Sequence, residues 1–156
     1  MNAHDHDLDA GAERLHCLTK ELIRRYQFRD WNQICCYGIS ISQSHILDVL
    51  ADEGDLTMQL LARRMFKSVS TMTRVVAQLV KRGYVKRRQG TEDRRAVHVS
   101  ITPQGKAIVA AINRDLIATQ KTILQAIPAQ ERAGAFKVLK ALAGGARRWQ
   151  ESCCSP

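Results

Sequence analysis

Residues 68–102 read SVSTMTRVVAQLVKRGYVKRRQGTEDRRAVHVSIT, and the reading of this stretch decides the fold. Met72, Val75, Val76, Leu79 and Val80 fall on one apolar stripe at the helical period, so the first half predicts an amphipathic helix. Ser68 or Ser70 offers the cap oxygen at its start, and Gly83 stands where a left-handed residue closes a helix. With the stripe turned to a core, Ser68, Ser70, Thr71, Thr73 and Arg74 are left on outer faces near the N-terminus. Short hydroxyl side chains allow close approach to phosphates, and an arginine pairs with guanine edges. The plainer alternative is a polar face that merely meets water, as every amphipathic helix has.

The second half shifts that balance. Residues 84–89 and 96–101 flank Gly90-Thr91-Glu92-Asp93, a polar turn cluster with one glycine, and so read as a two-stranded hairpin. Val97, Val99 and Ile101 alternate with Ala96, His98 and Ser100, the period of a half-buried strand. Between Lys81 and Arg95 seven cations stand against Glu92 and Asp93, leaving +5 of the chain's formal +9 within fifteen residues. Such a cluster repels itself, and a polyanion is its simplest compensation. A solvated charged face is the competing reading.

The preceding residues fit the same plan. Residues 42–50 (SQSHILDVL) predict a short helix opened by a serine cap, and residues 57–66 (TMQLLARRMF) a second one capped by Thr57. Three short helices and a hairpin make a winged helix-turn-helix, with a tight turn around Lys67 before the reading helix. The fold expected is mainly α with a small two-stranded β-wing.

These residues resemble the multiple-antibiotic-resistance regulator (MarR) family. Asp93-Arg94-Arg95, six residues of strand and then Thr102 match its Asp-x-Arg…Leu-Thr signature, with Ile101 in place of the leucine. Leu61-Ala62, Ser70-x-x-Thr73-Arg74, Leu79-x-x-x-Gly83-Tyr84-Val85 and Thr102-Pro103-x-Gly105 follow in the same order and spacing. The resemblance implies that Asp93 fixes the wing and Arg95, with Arg94 beside it, serves the minor groove. It also implies a homodimer on double-stranded DNA, reading a palindromic operator through two helices about one turn apart.

The 156 residues, 45% apolar and 5% aromatic, suit one small domain. Its expected parts are a tail over 1–11, dimerisation helices over 12–38 and 103–149, a winged-helix region over 39–102, and a tail over 150–156. Leu15, Leu18, Leu22 and Tyr26 form one helical stripe; Thr102 and Pro103 start a long helix that Pro128 ends; and a last helix over 129–149 carries Phe136, Leu139 and Leu142. No run of about eighteen apolar residues is present, and MNAHDHDLDAGAERL is not built like a secretory signal, so the expected compartment is the cytoplasm with no membrane contact.

The cysteines are Cys17 and the vicinal pairs Cys35-Cys36 and Cys153-Cys154. No C-x-x-C or zinc-finger spacing occurs, so no structural metal and no cofactor are expected. Cys17, Cys35 and Cys36 read as small apolar residues, as a redox sensor or as a soft-metal or metalloid site. Cys17 has Arg14 and Lys20 about one turn either side, a setting that favours redox chemistry. His4-Asp5-His6-Asp7 reads as a solvated run. There is no Ser/His/Asp order, no nucleotide-binding glycine loop and no paired carboxylate frame, so an enzyme is not expected. In the resembled family, effectors bind between the dimer helices and the reader; Tyr26, Trp31 and Tyr37 are the aromatics that would line that region here.

The resulting expectation is a homodimeric repressor released by a small molecule, an oxidant or a thiophilic metal. A winged helix serving assembly rather than regulation is the alternative.

Overall fold

A computed structural model describes residues 3–90 and 96–153, with side chains from Asp7 onward. It divides into two compact units, Met1–Leu116 and Ile117–Pro156.

In the first unit α1 spans Ala3–Ile34. The helix therefore already covers positions 3–11, where the sequence reads as a tail; Gly11 lies in open space within it and neither proline nor a capping turn interrupts it. A 3-10 turn over Cys35–Tyr37 follows, closed by Gly38 at φ 69°. Next, α2 spans Ile41–Glu53. Its cap is Ser40 rather than Ser42: Ser40 Oγ accepts from Gln43 N, and Gln43 Oε1 accepts from Ser40 N at 2.9 Å. This reciprocal box satisfies two orphan groups at once, which a lone serine at position 42 does not.

Two-residue β1, Leu56–Thr57, precedes α3, Met58–Arg64, which Thr57 caps as expected by accepting from Leu60 N. Exposed Phe66 turns the corner at φ 51°. The reading helix α4 spans Val69–Lys81; Ser68 caps it, and Gly83 at φ 75° releases the chain into the wing. There β2, Val85–Gln89, pairs antiparallel with β3, Val97–Ile101, setting Val85 opposite Ile101 and Arg88 opposite His98. The two-stranded wing is extended into a three-stranded sheet: β1 adds to the far side of β3, Leu56 opposite Val99, giving the order β1-β3-β2. Strand β2 is thus one edge of the sheet.

From α2 to β3 seven aliphatic side chains among the described residues are fully buried: Ile46, Leu47 and Leu50 from α2, Leu61 from α3, Val76 and Leu79 from α4, and Val99 from β3. Each contributes roughly 1.5–3 kcal/mol of burial, and with Leu56 of β1 and Val85 of β2 every element of the reader is tied to one cluster. In α4 the expected stripe holds at Met72, Val76 and Leu79, whereas Val80 is exposed.

Helix α5, Pro103–Gln125, opens as expected, with Thr102 Oγ1 accepting from Gly105 N at 3.0 Å while donating to Gly83 O at 2.7 Å. A Cβ at Gly105 would stand 2.2 Å from Tyr84 O, so only glycine lets α5 start this close to the wing.

The second unit holds the end of α5, a 3-10 turn over Ala129–Glu131 after Pro128, and α6, Arg132–Cys153. Position 129 begins a 3-10 turn rather than the last helix, and that helix runs on past Trp149. None of the described residues of α6 is buried, and Phe136, Val138, Leu139, Leu142 and Trp149 are exposed. Among the described residues no single helix is long and apolar enough to cross a membrane.

Candidate nucleic-acid interface

The start of α4 presents hydroxyls as a cluster. Ser68 Oγ accepts from Thr71 N and lies 2.9 Å from both Ser70 Oγ and Thr71 Oγ1. Ser68 and Ser70 are exposed, and Thr71 is half-buried. The cap thus fixes three hydroxyls at the end of the helix where the backbone dipole is positive, a setting that favours phosphate oxygens. Arg74, one turn on, is exposed and makes no hydrogen bond or ion pair with any described residue. Thr73 behaves differently. Its hydroxyl donates to Val69 O at 2.8 Å, and its side chain lines a small cavity of about 190 Å³ with Gln59, Arg87 and Ala96.

The wing supplies a second basic element. Lys86, Arg87 and Arg88 are exposed along β2. They are not equivalent. Arg88 is held by Asp55 just before β1, and His98 Nδ1 lies 3.6 Å from the same carboxylate. One acidic side chain therefore ties β2 to the start of β1, with the His98 ring of β3 beside it. Arg87 points with Thr73 toward the cavity between reading helix and wing, which makes it a candidate contact that charge counting alone did not single out. The alternation Val85–Arg87–Gln89 was the available signal. Asp93, Arg94 and Arg95 lie outside the described residues. The hairpin is closed just before them by Gly90 N donating to Ala96 O at 2.7 Å.

Of the three aromatics expected to share an effector site, Trp31 lines a groove. Two concavities adjoin there, one of about 310 Å³ that includes Cys35, Ile39 and Ser40, and one of about 490 Å³ that includes Phe28 and His45; both include Ile41. Tyr26 instead lies under the Arg29 guanidinium, 4.3 Å from ring centroid to Cζ. Tyr37 donates its hydroxyl to Asp115 of α5, and that bond holds the phenol above its usual pKa. Both are thus engaged elsewhere, which separates them from the groove.

Cys17, Cys35 and Cys36 are exposed, not core residues. Cys17 sits on α1 apart from the pair. Cys35 and Cys36 each have Sγ 3.3 Å from Asn32 O, and desolvation together with the neighbouring Cys36 thiol raises the pKa of Cys35. Among the described residues no three His, Cys, Asp or Glu side chains are grouped to hold a metal ion.

Buried Gln43 joins this region to the reader. While its Oε1 caps α2, its Nε2 donates to Gln78 Oε1 on α4 at 2.8 Å.

The chain matches the MarR family over residues 39–97, from just after the Cys35–Tyr37 turn to the first residue of β3. An uncharacterised HTH-type transcriptional regulator of Mycobacterium leprae is 36% identical over 109 residues, which cover 69% of this chain and 73% of that one. A MarR family protein from Bacillus stearothermophilus has the same fold at a TM-score of 0.83 and 21% identity, over 94% of this chain and 99% of that one. FabT of Streptococcus pneumoniae, solved in complex with DNA, superposes at 0.74 and 22% identity over 88% and 99% of the two chains.

Proposed function

This chain belongs to the MarR family of DNA-binding transcription regulators, is not an enzyme, and on that premise we propose that it is a homodimeric repressor of a palindromic operator. The observation that carries the reading is the start of α4: a capped hydroxyl cluster and an arginine with no described partner, exposed beside a basic strand. Ser68, Ser70, Thr71 and Arg74 meet major-groove edges or phosphates. Thr73 orders the first turn and contacts DNA through its methyl face. By resemblance Arg94 and Arg95 serve the minor groove and Asp93 holds the wing.

Dimerisation is assigned to 12–38 and 103–149, and DNA reading to 39–102. Leu15, Leu18, Leu22 and Ile23 on α1, and Phe136, Leu139 and Leu142 on α6, are too apolar to remain in water and support a two-fold interface. An effector in the grooves at Trp31, whether a small molecule, an oxidant or a thiophilic species, favours a dimer whose heads are wrongly spaced for the two half-sites.

The test is selection of bound fragments from genomic DNA, then a salt titration on the fragment recovered. A palindrome and a steep salt slope are expected, the slope counting the phosphates neutralised. Weak binding without sequence preference would sink the regulator reading and leave an assembly module.

A further inference from the structure

Two exposed thiols on consecutive residues share one acceptor. Cys35 and Cys36 each direct Sγ to Asn32 O at 3.3 Å, so the sulfurs lie within twice that distance of each other on one side of the turn. Both thiols donate to a neutral carbonyl, and desolvation with the neighbouring thiol raises the pKa of Cys35. That setting suits neither a thiolate attacking an oxidant nor a divalent metal needing several anionic ligands. Among the described residues no third ligand stands near to complete a metal sphere. The site therefore calls for a soft centre satisfied by two sulfurs, which takes them as neutral thiols and brings its own third substituent.

We infer that Cys35 and Cys36 form a binding site for trivalent arsenicals, R–As(OH)₂, with R either hydroxyl or aryl. The reaction is a condensation. Two As–O bonds and two S–H bonds break, two As–S bonds form, and two waters leave carrying the thiol protons. Arsenic stays trivalent, so no oxidant or reductant is required. Soft thiol ligands select soft centres of this kind. The groove of about 310 Å³ that opens at Cys35 supplies room for R, and Trp31, 60% exposed on its wall, supplies an aromatic face for an aryl group.

The position of the pair gives the site an output. The Cys35–Tyr37 turn is tied to α5 through Tyr37 and Asp115. Next to it, Gly38 adopts the left-handed conformation with the Arg82 guanidinium, at the end of α4, close over it. The same groove contains Ser40, whose capping partner Gln43 is hydrogen-bonded to Gln78 of α4. Drawing two sulfurs onto one arsenic breaks both bonds to Asn32 O and re-forms the turn, and both links deliver that change to the reading helix. This regulatory half rests on the repressor reading above; the binding half does not.

The experiment uses the full chain carrying Cys17→Ser, Cys153→Ser and Cys154→Ser, which removes the other thiols, the second vicinal pair among them. Phenylarsine oxide and sodium arsenite are the probes, with intact mass and free-thiol titration as readouts and no DNA present. One arsenic per chain with loss of two free thiols is expected, and further replacement of either Cys35 or Cys36 by Ser or Ala abolishes it. Trp31→Ala weakens phenylarsine oxide binding and leaves arsenite unchanged. Uptake that survives loss of both Cys35 and Cys36, or that occurs only when Cys153 and Cys154 are restored, overturns the site. On the selected operator, one equivalent of phenylarsine oxide releases DNA from the Cys35–Cys36 protein and not from its Cys36→Ser variant. Undiminished operator affinity at full occupancy overturns the regulatory half. A protein that takes up arsenic but never prefers an operator refutes the repressor reading instead.

Discussion

The reader and the outer helices treat apolar side chains in opposite ways. From α2 to β3, seven aliphatic residues are fully buried and each helix carries a side-chain cap. Along α6 nothing described is buried, and on α1 only Ile34 is. Yet Leu18, Leu22, Leu139 and Leu142 are as apolar as Leu47 or Leu50. The difference teaches that the reader completes its own core, whereas the outer helices carry half of one, which in the proposed dimer a second copy would complete.

Substitutions can break that contrast or sharpen it. Leu50→Ala opens a cavity in the completed core and is expected to cost about 2–5 kcal/mol. Denaturant melts should show it at every protein concentration. Leu139→Glu and Leu142→Glu together should leave the reader folded but weaken self-association by roughly 1.5–3 kcal/mol per monomer face, tenfold or more in dissociation constant. Sedimentation reads this directly, and an unchanged dimer would refute the assignment of α6 to the interface. Within the reader, Arg74→Ala is expected to lose about 1–3 kcal/mol on the selected operator and little on unrelated DNA. Equal losses on both would demote it to a phosphate contact. Asp55→Ala removes the ion pair with Arg88 and should weaken operator binding by about 1 kcal/mol without altering the melt midpoint appreciably.

The smallest effect concerns Asp48. Burial raises its pKa in the folded chain, with Asp52 adding to the rise and with His45 and Asn113 opposing it. A carboxyl that folds with a raised pKa destabilises once ionised, so its contribution is favourable below about pH 3.8 and is lost as pH rises through the folded value. Asp48→Asn should therefore raise the melting temperature at pH 7 and not at pH 3.5. Solvent reaches the group, which limits the gain to roughly 0.5 kcal/mol.

What was legible in the sequence followed from period and cap chemistry. The stripe of α4, its Ser68 cap, Thr57 before α3 and Thr102-Pro103 before α5 all obey local rules, and local rules survive folding. Strand β1 escaped because two residues carry no period; Leu56 and Thr57 are extended only because β3 offers them a partner. Which of Ser40, Ser42 and Ser44 caps α2 is not legible locally, since the choice depends on Gln43 reaching back to Ser40 N. Within the candidate interface, composition gave the charge but not its allocation. Arg88 is committed to Asp55 and Arg87 is turned toward Thr73, a distinction made by the pleat and a distant loop. The groove at Trp31 mixes α1 with the start of α2, so no single stretch announced it, and Tyr26 and Tyr37 looked equally eligible until Arg29 and Asp115 claimed them.

The position of β2 at the rim of its sheet has one more consequence. Its outward row of backbone amides and carbonyls is a template on which another strand can add, and the exposed side chains beside it are Lys86, Arg87 and Arg88. Like charges make two such rims repel. The positive charge of this rim therefore keeps unoccupied heads from zipping together. Neutralising Lys86, Arg87 and Arg88 would remove that repulsion and leave a strand edge open to aggregation.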